Sequence, residues 1–354
     1  MSAERPLSVL GATGYTGRLV VEQARELGVP LRLVGRRHSA LEELARDGEE
    51  IRVADARREA ELIEAFDGSF AVASTAGPFL EVGTKPVGAA IGVGAHYIDV
   101  SGEQAFARVV YEGFGESAEE RDVVLLTSFG FDYVPGDLAA RLAAEGLEEP
   151  LDEIVVAYAT AGQVTSAGTR RTIGHVMGQP QVAWEGRIVP SRFGKTKRSV
   201  RFPSGERSVV EWAGTEPLTV PRHTRVRSVR SYFAVPRAVA LAGLVGPLVG
   251  PLVRQSGRLG GDPSATRRTG NEWTVVAEAR RGGEGRRATL VGRDTYGLAA
   301  LLVAHGARAL RDGEARGAGA LAPAEAFDVH QFAPRLAPLL EVAGLDTFDV
   351  RPPF

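Results

Sequence analysis

The 354-residue chain contains no cysteine. Disulfides, thiolate nucleophiles and cysteine-ligated metal or iron–sulfur sites are therefore excluded. Lysine is scarce and occurs only at Lys85, Lys195 and Lys197. The net charge is −2, so the chain has no general attraction for nucleic acid or anionic membranes, and we expect no nucleic-acid partner.

Several common catalytic and targeting patterns are also missing. The sequence has no H-E-x-x-H and no metal spacing among its histidines, so no metal site is predicted. It has no G-x-S-x-G, so serine-hydrolase chemistry lacks support. Residues 1–6 carry no apolar signal region, which, with the absence of cysteine, predicts a cytoplasmic protein.

The strongest feature that is present is a glycine motif near the N-terminus. Residues 7–10 are mostly apolar, and Gly11, Gly14 and Gly17 follow at the spacing G-x-x-G-x-x-G, before an apolar-periodic run that ends at Leu27. These glycines suit a sharp exit from a strand, close approach to a pyrophosphate and tight helix packing, respectively. The N–H groups of the first helical turn would then face the phosphates. The motif predicts a dinucleotide site.

The end of the second predicted strand indicates the form of the cofactor. Residues 31–34 lead into Gly35-Arg36-Arg37, with no carboxylate before Glu42. A free ribose 2′-hydroxyl is usually held by Asp or Glu here. A carboxylate would repel a 2′-phosphate, whereas a guanidinium grips one with two hydrogen bonds. The pattern predicts NADP(H) rather than NAD(H), held by Arg36 first and Arg37 second. The alternative is two solvated surface arginines.

Strand and helix patterns alternate over the first 130 residues. Strands are predicted at residues 7–10, 31–34, 51–53, 70–74, 96–100 and 123–127, with helices between them at 15–27, 40–46, 59–66, 83–91 and 104–116. Such alternation gives a parallel sheet covered by helices on both faces. Right-handed crossovers make it a doubly wound, Rossmann-type α/β fold, with its ligand at the carboxyl ends of the strands.

The alternation of predicted strands and helices ends after Pro135. A helix is predicted at 136–146, strands at 153–159, 187–190, 199–202, 208–212, 227–233, 272–280 and 287–291, and late helices at 294–310 and 331–342. Strands this close in sequence indicate a second, α+β domain built on a mostly antiparallel sheet. The predicted domains are a dinucleotide-binding domain at 1–130, a substrate domain at 131–293, and C-terminal helices at 294–354 that pack back on the first domain.

Further stretches along the chain carry a family resemblance. They are Ala76-Gly77-Pro78-Phe79, residues 94–103 (GAHYIDVSGE), residues 130–138 (GFDYVPGDL), Asp294-Thr295-Tyr296 and residues 321–327 (LAPAEAF). In this order and spacing the chain resembles the saccharopine dehydrogenase-like NADP-binding oxidoreductases, which include trans-acting enoyl reductases of lipid and polyketide pathways. The resemblance implies hydride transfer to an activated double bond. It leaves imine and enoyl C=C open, because this family serves several reactions.

Reduction of a double bond also needs a proton donor. Tyr97, Asp99 and Glu103 share alternate positions near the end of a predicted strand, where substrate should meet cofactor. Asp99 and Glu103 suit the capping of a helix N-terminus equally well. Asp132 and Tyr133 lie in a loop bounded by Gly and Pro, a usual place for ligand contacts, with a purely structural loop as the alternative. None of the seven tyrosines has a lysine four residues later, so the mechanism of short-chain dehydrogenases is not implied.

The remaining candidates are predicted cofactor contacts. Asp55, after the third strand, would reach the adenine amino group or else cap the start of a helix. Residues 76–79 end the fourth strand, which places them beside the pyrophosphate and the nicotinamide ribose. The predicted cofactor-binding residues are Gly11, Thr13, Gly14, Tyr15, Thr16, Gly17, Arg36, Arg37, Asp55, Ala76, Gly77, Pro78 and Phe79.

An uncharged, apolar stretch at residues 238–253 bears on the expected partners. It is shorter than the roughly 20 residues of a membrane span, and Pro247 and Pro251 interrupt it. It suits a buried or interface helix, or alternatively the wall of a site for a hydrophobic substrate or a surface on lipid. We expect a small-molecule or carrier-bound acyl substrate and a homodimer, with peripheral lipid contact left open. The alternative from another class is a non-catalytic NADP(H)-binding redox sensor.

Overall fold

A computed structural model describes residues 5–161, 180–235 and 268–350, so the apolar stretch at 238–253 lies outside the described residues. The elements of the first part are β1 (Leu7–Leu10), α1 (Tyr15–Glu26), β2 (Leu31–Gly35), α2 (His38–Glu42), β3 (Glu50–Val53), α3 (Glu59–Phe66), β4 (Ala71–Ser74), α4 (Phe79–Val82), α5 (Thr84–Gly92), β5 (His96–Asp99), α6 (Gln104–Gly113), α7 (Gly115–Glu120) and β6 (Val124–Leu126). They are followed by α8 (Val134–Ala144), β7 (Leu151–Ala161), β8 (Gln181–Glu185), β9 (Ile188–Ser191), β10 (Lys197–Phe202), β11 (Gly205–Glu211), α9 (Glu216–His223), β12 (Val226–Ala234), β13 (Glu272–Arg281), β14 (Glu284–Arg293), α10 (Thr295–Arg311), β15 (Gly319–Ala320), α11 (Pro323–Ala326), α12 (Val329–Phe332), a 3₁₀ turn (Ala333–Leu336) and β16 (Leu340–Asp349).

The chain divides into two compact units. Unit 1 comprises Met1–Phe131 and Tyr296–Leu321, and unit 2 comprises Asp132–Thr295 and Ala322–Phe354. The first boundary lies within one residue of the predicted one. The predicted C-terminal segment at 294–354 differs, because only Tyr296–Leu321 belongs to unit 1, while the rest joins unit 2.

Unit 1 contains a parallel sheet of seven strands in the order β15-β6-β5-β4-β1-β2-β3. Every residue of β1 and of β4 is buried, as expected for central strands covered on both faces. Helix α1 buries Gly17, Val20, Val21 and Ala24, which the 3.6-residue period places on one face. The strand order reverses beside β1, with β2 on one side and β4 on the other. The predicted doubly wound α/β fold is confirmed.

Within its described residues, unit 2 contains a mixed sheet of nine strands in the order β10-β11-β12-β7-β13-β14-β16, with β8 paired to β12 and β9 paired to β8. The β12–β7 pair is parallel, and the other pairs are antiparallel. Strands β13 and β14 form the hairpin that the glycine-rich connection at 281–285 favours. This sheet matches the predicted second domain with its mostly antiparallel strands.

The helix predicted at 331–342 is wrong. The structure has the short helix α12, a 3₁₀ turn and then strand β16 in this part of the chain. Pro334 and Pro338 lack the backbone N–H that a continuous helix needs, and β16 instead pairs with β14 along most of its length. This pairing explains why the end of the chain belongs to unit 2.

Within the ranges 5–161, 180–235 and 268–350, no helix is long and apolar enough to cross a membrane. The same ranges contain no group of three or more His, Asp or Glu side chains that could hold a metal ion.

Candidate functional site

The loop between β1 and α1 turns tightly at its first glycine. Gly11 has a φ of +83°, a conformation that residues with a side chain rarely adopt. Its N–H donates to the carbonyl oxygen of Val34 at 2.9 Å, and its own carbonyl accepts the N–H of Gly14 at 2.9 Å. A Cβ on Gly17 would lie 2.1 Å from the carbonyl oxygen of Gly11. The helix can therefore approach the loop this closely only with glycine at position 17.

The beginning of α1 offers backbone donors to a ligand. Helix α1 starts at Tyr15 after its N-cap residue Gly14, and no side chain accepts a hydrogen bond there. Gly14 is exposed, and Thr13 and Thr16 are half-buried. Because the first N–H groups of a helix have no partner within the helix and lie at its positive end, this loop is suited to an anion. Its shape and donors fit the pyrophosphate of a dinucleotide.

The end of β4 lies directly beside the glycine loop. The Thr75 hydroxyl donates to the carbonyl oxygen of Leu10 at 3.0 Å, and a Cβ on Gly11 would lie 2.8 Å from the Thr75 hydroxyl oxygen. Ala76 and Pro78 are half-buried and Gly77 is exposed. The structure thus brings this segment and the glycine loop together at the reversal of strand order, where ligands of such sheets bind.

The two arginines after β2 project into solvent. Both Arg36 and Arg37 are exposed. Among the described residues, neither guanidinium takes part in a hydrogen bond or an ion pair. Arg32, which lies on β2, is by contrast buried, and its guanidinium donates hydrogen bonds to Glu50 and to backbone carbonyl oxygens. The exposed pair therefore has the charge and the accessibility that binding of a phosphate requires.

Asp55 takes part in a turn between β3 and α3. Its carboxylate accepts the N–H of Arg57 at 2.9 Å, and its own N–H donates to Glu61 at 2.9 Å. Helix α3 itself begins later, at Glu59. Asp55 therefore closes a turn before α3 and does not cap that helix. Its side chain is half-buried, and its contact with the adenine amino group stays a prediction.

Tyr97 and Asp99 are both fully buried, with 0% of each exposed. One carboxylate oxygen of Asp99 accepts the N–H of Ser101 at 2.8 Å and that of Ser128 at 2.9 Å. Burial raises the pKa of Asp99 to about 6, although these two N–H donors act in the opposite direction. Burial also raises the pKa of Tyr97 well above its ordinary value. These positions give neither group direct access to a substrate.

Glu103 is buried as well, and its carboxylate is engaged by backbone. Its two oxygens accept the N–H of Phe79 at 2.8 Å and that of Leu80 at 3.1 Å. These are the first two residues of α4, and the Phe79 ring packs against Phe106 on α6 at 5.5 Å. Glu103 therefore caps the helix that follows the predicted cofactor segment 76–79. The capping expected from the sequence concerned the helix that follows Glu103, but α6 has no side-chain cap, and the Glu103 carboxylate serves α4 instead.

The two candidates after β6 belong to unit 2 and differ in accessibility. Tyr133 is 2% exposed, its hydroxyl donates to the carbonyl oxygen of Ala213 at 3.3 Å, and its ring stacks on Trp212. Asp132 is exposed to solvent. The protein around its carboxyl group nevertheless reduces the solvation of the charged form, which raises the pKa of Asp132 to about 6. Asp132 is therefore the accessible acid among the five predicted catalytic residues.

Two residues near the glycine loop were missing from the predicted set. The Thr75 hydroxyl donates a hydrogen bond to the carbonyl oxygen of Leu10 at the end of β1. Tyr296, at the start of α10, packs edge-on against the Tyr15 ring at a centroid distance of 5.2 Å. The signal for Thr75 was its position just before Ala76. The signal for Tyr296 was its place in the 294–296 motif, although nothing in the local pattern indicates that a helix so distant in sequence contacts the loop.

Comparisons with known proteins agree with this geometry. A family model described as NAD(P)H-binding matches residues 11–167. The chain is 33% identical over 157 residues to a saccharopine dehydrogenase-like oxidoreductase of Bos taurus, covering 38% of this chain and 37% of that protein. It is 27% identical over 183 residues to a lipid droplet localized protein of Caenorhabditis elegans, covering 47% of this chain and 43% of that protein. The matched part thus spans less than half of either relative.

A solved structure extends the likeness of fold to the rest of the chain. Apo saccharopine dehydrogenase (L-Glu forming) from Saccharomyces cerevisiae matches with a TM-score of 0.62 at 12% identity, covering 98% of this chain and 100% of that one. At this identity the match concerns the fold alone. Taken with the glycine loop and the reversal of strand order at β1, the comparisons show that residues 11–167 match an NAD(P)H-binding family model and that part of this chain is similar to a saccharopine dehydrogenase-like oxidoreductase.

Proposed function

We propose that this chain is an NADP(H)-dependent oxidoreductase that transfers a hydride to an activated double bond, an imine or an enoyl C=C, of a small-molecule or carrier-bound acyl substrate. The bound dinucleotide supplies the hydride. The observation that carries the choice of cofactor is the exposed pair Arg36 and Arg37, which has no ion-pair partner among the described residues. The glycine loop is the proposed site of the pyrophosphate.

The preference for the 2′-phosphate follows from charge. With no carboxylate at the end of β2, nothing there would repel a dianionic group, and a guanidinium is always charged and offers two parallel donors. Each charge-assisted hydrogen bond of this kind contributes about 1.5–3 kcal/mol. We therefore expect NADPH to bind more tightly than NADH by at least about tenfold, since 1.4 kcal/mol is a factor of ten.

Calorimetry with the purified chain tests this step. NADPH and NADH are titrated separately into the wild type and into Arg36→Ala. We expect the variant to lose affinity for NADPH and to keep its affinity for NADH. Equal affinities of the wild type for the two nucleotides would refute the NADP(H) preference, and the absence of binding by either would refute the cofactor assignment as a whole.

For the proton we propose Asp132. Among the five predicted catalytic side chains, Asp132 is the acid that solvent can reach. With a pKa of about 6, part of its carboxyl group is protonated near neutral pH and can donate a proton. Tyr97, Asp99, Glu103 and Tyr133 are buried, and in this proposal none of them touches substrate. Asp99, Glu103 and Tyr133 bond to backbone groups. Asp132→Asn should lower kcat with little change in NADPH affinity, and an unchanged kcat would remove Asp132 from the mechanism.

The class of substrate is inferred from apolar sequence and from one of the similar proteins. The uncharged stretch at 238–253 favours an apolar or carrier-bound acyl group, and one relative is named for its place on lipid droplets. NADPH oxidation with a panel of enoyl thioesters, imines and ketones tests the reaction. Liposome flotation tests the proposed peripheral lipid contact, and light scattering tests the proposed homodimer. Tight NADPH binding without turnover on any substrate would instead favour the redox sensor.

A further inference from the structure

Three polar side chains form a row across the unit 1 sheet where its strands end. Ser74, the last residue of β4, pairs in register with Asp99, the last residue of β5. Ile98 pairs with Leu126, so the next position of β6 sets Thr127 beside Asp99. Because residues in register on neighbouring strands share a face of the sheet, these three side chains lie side by side. Tyr97 is two residues before Asp99 and shares that face.

This row is buried, and its polar atoms lack partners within the protein. The hydroxyl oxygens of Ser74, Tyr97, Thr127 and Ser128 and the second carboxylate oxygen of Asp99 are all buried, and none has a hydrogen-bond partner in the described part of the chain. All five residues are at most 3% exposed. A buried polar group without a partner costs about 1–3 kcal/mol, so these five atoms require an explanation.

The groups are near one another without reaching hydrogen-bond geometry. The Tyr97 hydroxyl is close enough to Ser74 and to Asp99 for both to influence its pKa, and Thr127 influences the pKa of Asp99 in the same way. The surroundings are apolar, since Tyr97 belongs to a core cluster with Phe79, Phe106 and Leu125. The side chains of Ser74, Tyr97, Asp99 and Thr127 therefore lie close together inside an apolar core, and Ser128 follows Thr127 directly in the chain.

The same region anchors two loops at the carboxyl end of the sheet. The first oxygen of Asp99 accepts the N–H groups of Ser101 after β5 and Ser128 after β6. Ser128 has a φ of +57°, a conformation that is unusual for a residue with a side chain. The second oxygen of Asp99 is buried and accepts no hydrogen bond within the described residues. A ligand at that oxygen would fix the carboxylate that fixes both loops.

We propose that Ser74, Tyr97, Asp99, Thr127 and Ser128 form a buried site for ordered water beneath the ends of β4, β5 and β6. Buried water typically makes about three hydrogen bonds to polar groups that have no other partner, and this set offers hydroxyl donors and acceptors and one carboxylate oxygen. The water completes the bonding of Asp99 and thereby holds the loops at Ser101 and Ser128. The inference concerns unit 1 alone and is independent of the proposed reaction.

The sign of a stability change tests the proposal. In a hydrated site, Thr127→Val and Tyr97→Phe each remove a partner of the water, and we expect Tm to fall by about 2 °C or more. In a dry site, the same near-isosteric changes remove an unsatisfied hydroxyl, and Tm should rise or stay unchanged. Ser8→Ala is the matched control, because the buried Ser8 hydroxyl has a protein partner, Ser69, at 2.8 Å, and its Tm should fall in either case.

A crystal structure of the unliganded wild type at high resolution provides the second readout. We expect density for at least one water within hydrogen-bond distance of three or more of the five atoms. A site without such density, or a Tm that is unchanged or raised in both variants, overturns the proposal. A wild-type Tm that rises when choline is exchanged for Na⁺ or K⁺ identifies a cation at these oxygens instead, and overturns it too.

Discussion

The carboxyl edge of the unit 1 sheet has two halves, the ends of β1 and β2 and the ends of β4 and β5, and their polar side chains differ in burial and in hydrogen bonding. At the ends of β1 and β2, Gly14, Arg36 and Arg37 are exposed, and the guanidiniums have no partner among the described residues. At the ends of β4 and β5, Asp99 and Glu103 are buried, and each carboxylate accepts two backbone N–H groups. Residue type alone marks both halves as functional candidates.

The hydrogen-bond partners that the fold provides decide the role of a charged side chain. A buried carboxylate that two amides already engage stabilises the loops that carry those amides, and its removal leaves donors unsatisfied. An exposed guanidinium without a partner contributes little to folding and is free to meet a ligand. Mutation of the exposed arginines should therefore change binding, and mutation of the buried carboxylates should change stability.

The largest effect is expected at the centre of the first half. In Gly17→Ala, the new Cβ would lie 2.1 Å from the Gly11 carbonyl oxygen, so α1 must move away from the loop. We expect NADPH affinity to fall by about 100-fold or more and stability by about 1–3 kcal/mol. Gly92→Ala is the control, since nothing lies within 4 Å of its added Cβ. Calorimetry and urea unfolding measure both, and retained NADPH affinity in Gly17→Ala would remove the loop from the cofactor site.

A change at the edge of the first half should affect binding alone. Arg36→Ala is expected to weaken NADPH binding by about 10–100-fold, which corresponds to the loss of one or two charge-assisted hydrogen bonds. Unfolding should change by less than about 0.5 kcal/mol, because the side chain is exposed. Arg52→Ala is the control, an exposed arginine on the neighbouring strand that pairs with Glu50. A loss of stability without loss of NADPH affinity would reverse the comparison.

Glu103→Gln tests the second half with a side chain of the same shape. The amide keeps one acceptor but presents N–H to an N–H at Phe79 or Leu80, so we expect stability to fall by about 1–3 kcal/mol. Turnover per folded molecule should stay within a few-fold of the wild type. A fall of 1000-fold or so in kcat with unchanged stability would restore Glu103 as a catalytic acid.

The smallest effect is expected from the titration of Asp99. Its folded-state pKa is raised from 3.8 to about 6, so folding favours the protonated form. The resulting stabilisation is fully present below about pH 4 and is lost as the pH rises through 6. The free energy of unfolding of Asp99→Asn should therefore rise relative to that of the wild type between pH 4 and 7, by an amount on the order of 1 kcal/mol. Urea unfolding across this range measures the difference, and parallel profiles would contradict the raised pKa.

Much of unit 1 was predictable from local patterns. The apolar runs and the glycine spacing located β1, α1, β2 and the loop between them within one residue at most boundaries, because periodicity and turn chemistry depend on near neighbours. The partner of Glu103 was not predictable in this way. Its acceptor role depends on amides 23 and 24 residues earlier in the chain, which no local pattern connects with it. The apolar spacing at 331–342 even favoured a helix, where pairing with β14 produces a strand.

The amino-acid sequence by itself determined the doubly wound class, the loop for a dinucleotide and the absence of a carboxylate after β2. Each of these depends on residue size or charge at adjacent positions. Only the tertiary structure decided that Asp99 and Glu103 bond to backbone while Arg36 and Arg37 remain exposed. Burial and hydrogen bonding depend on which distant segments the sheet brings together, and the same residue type can meet amides, solvent or a ligand at the same strand end.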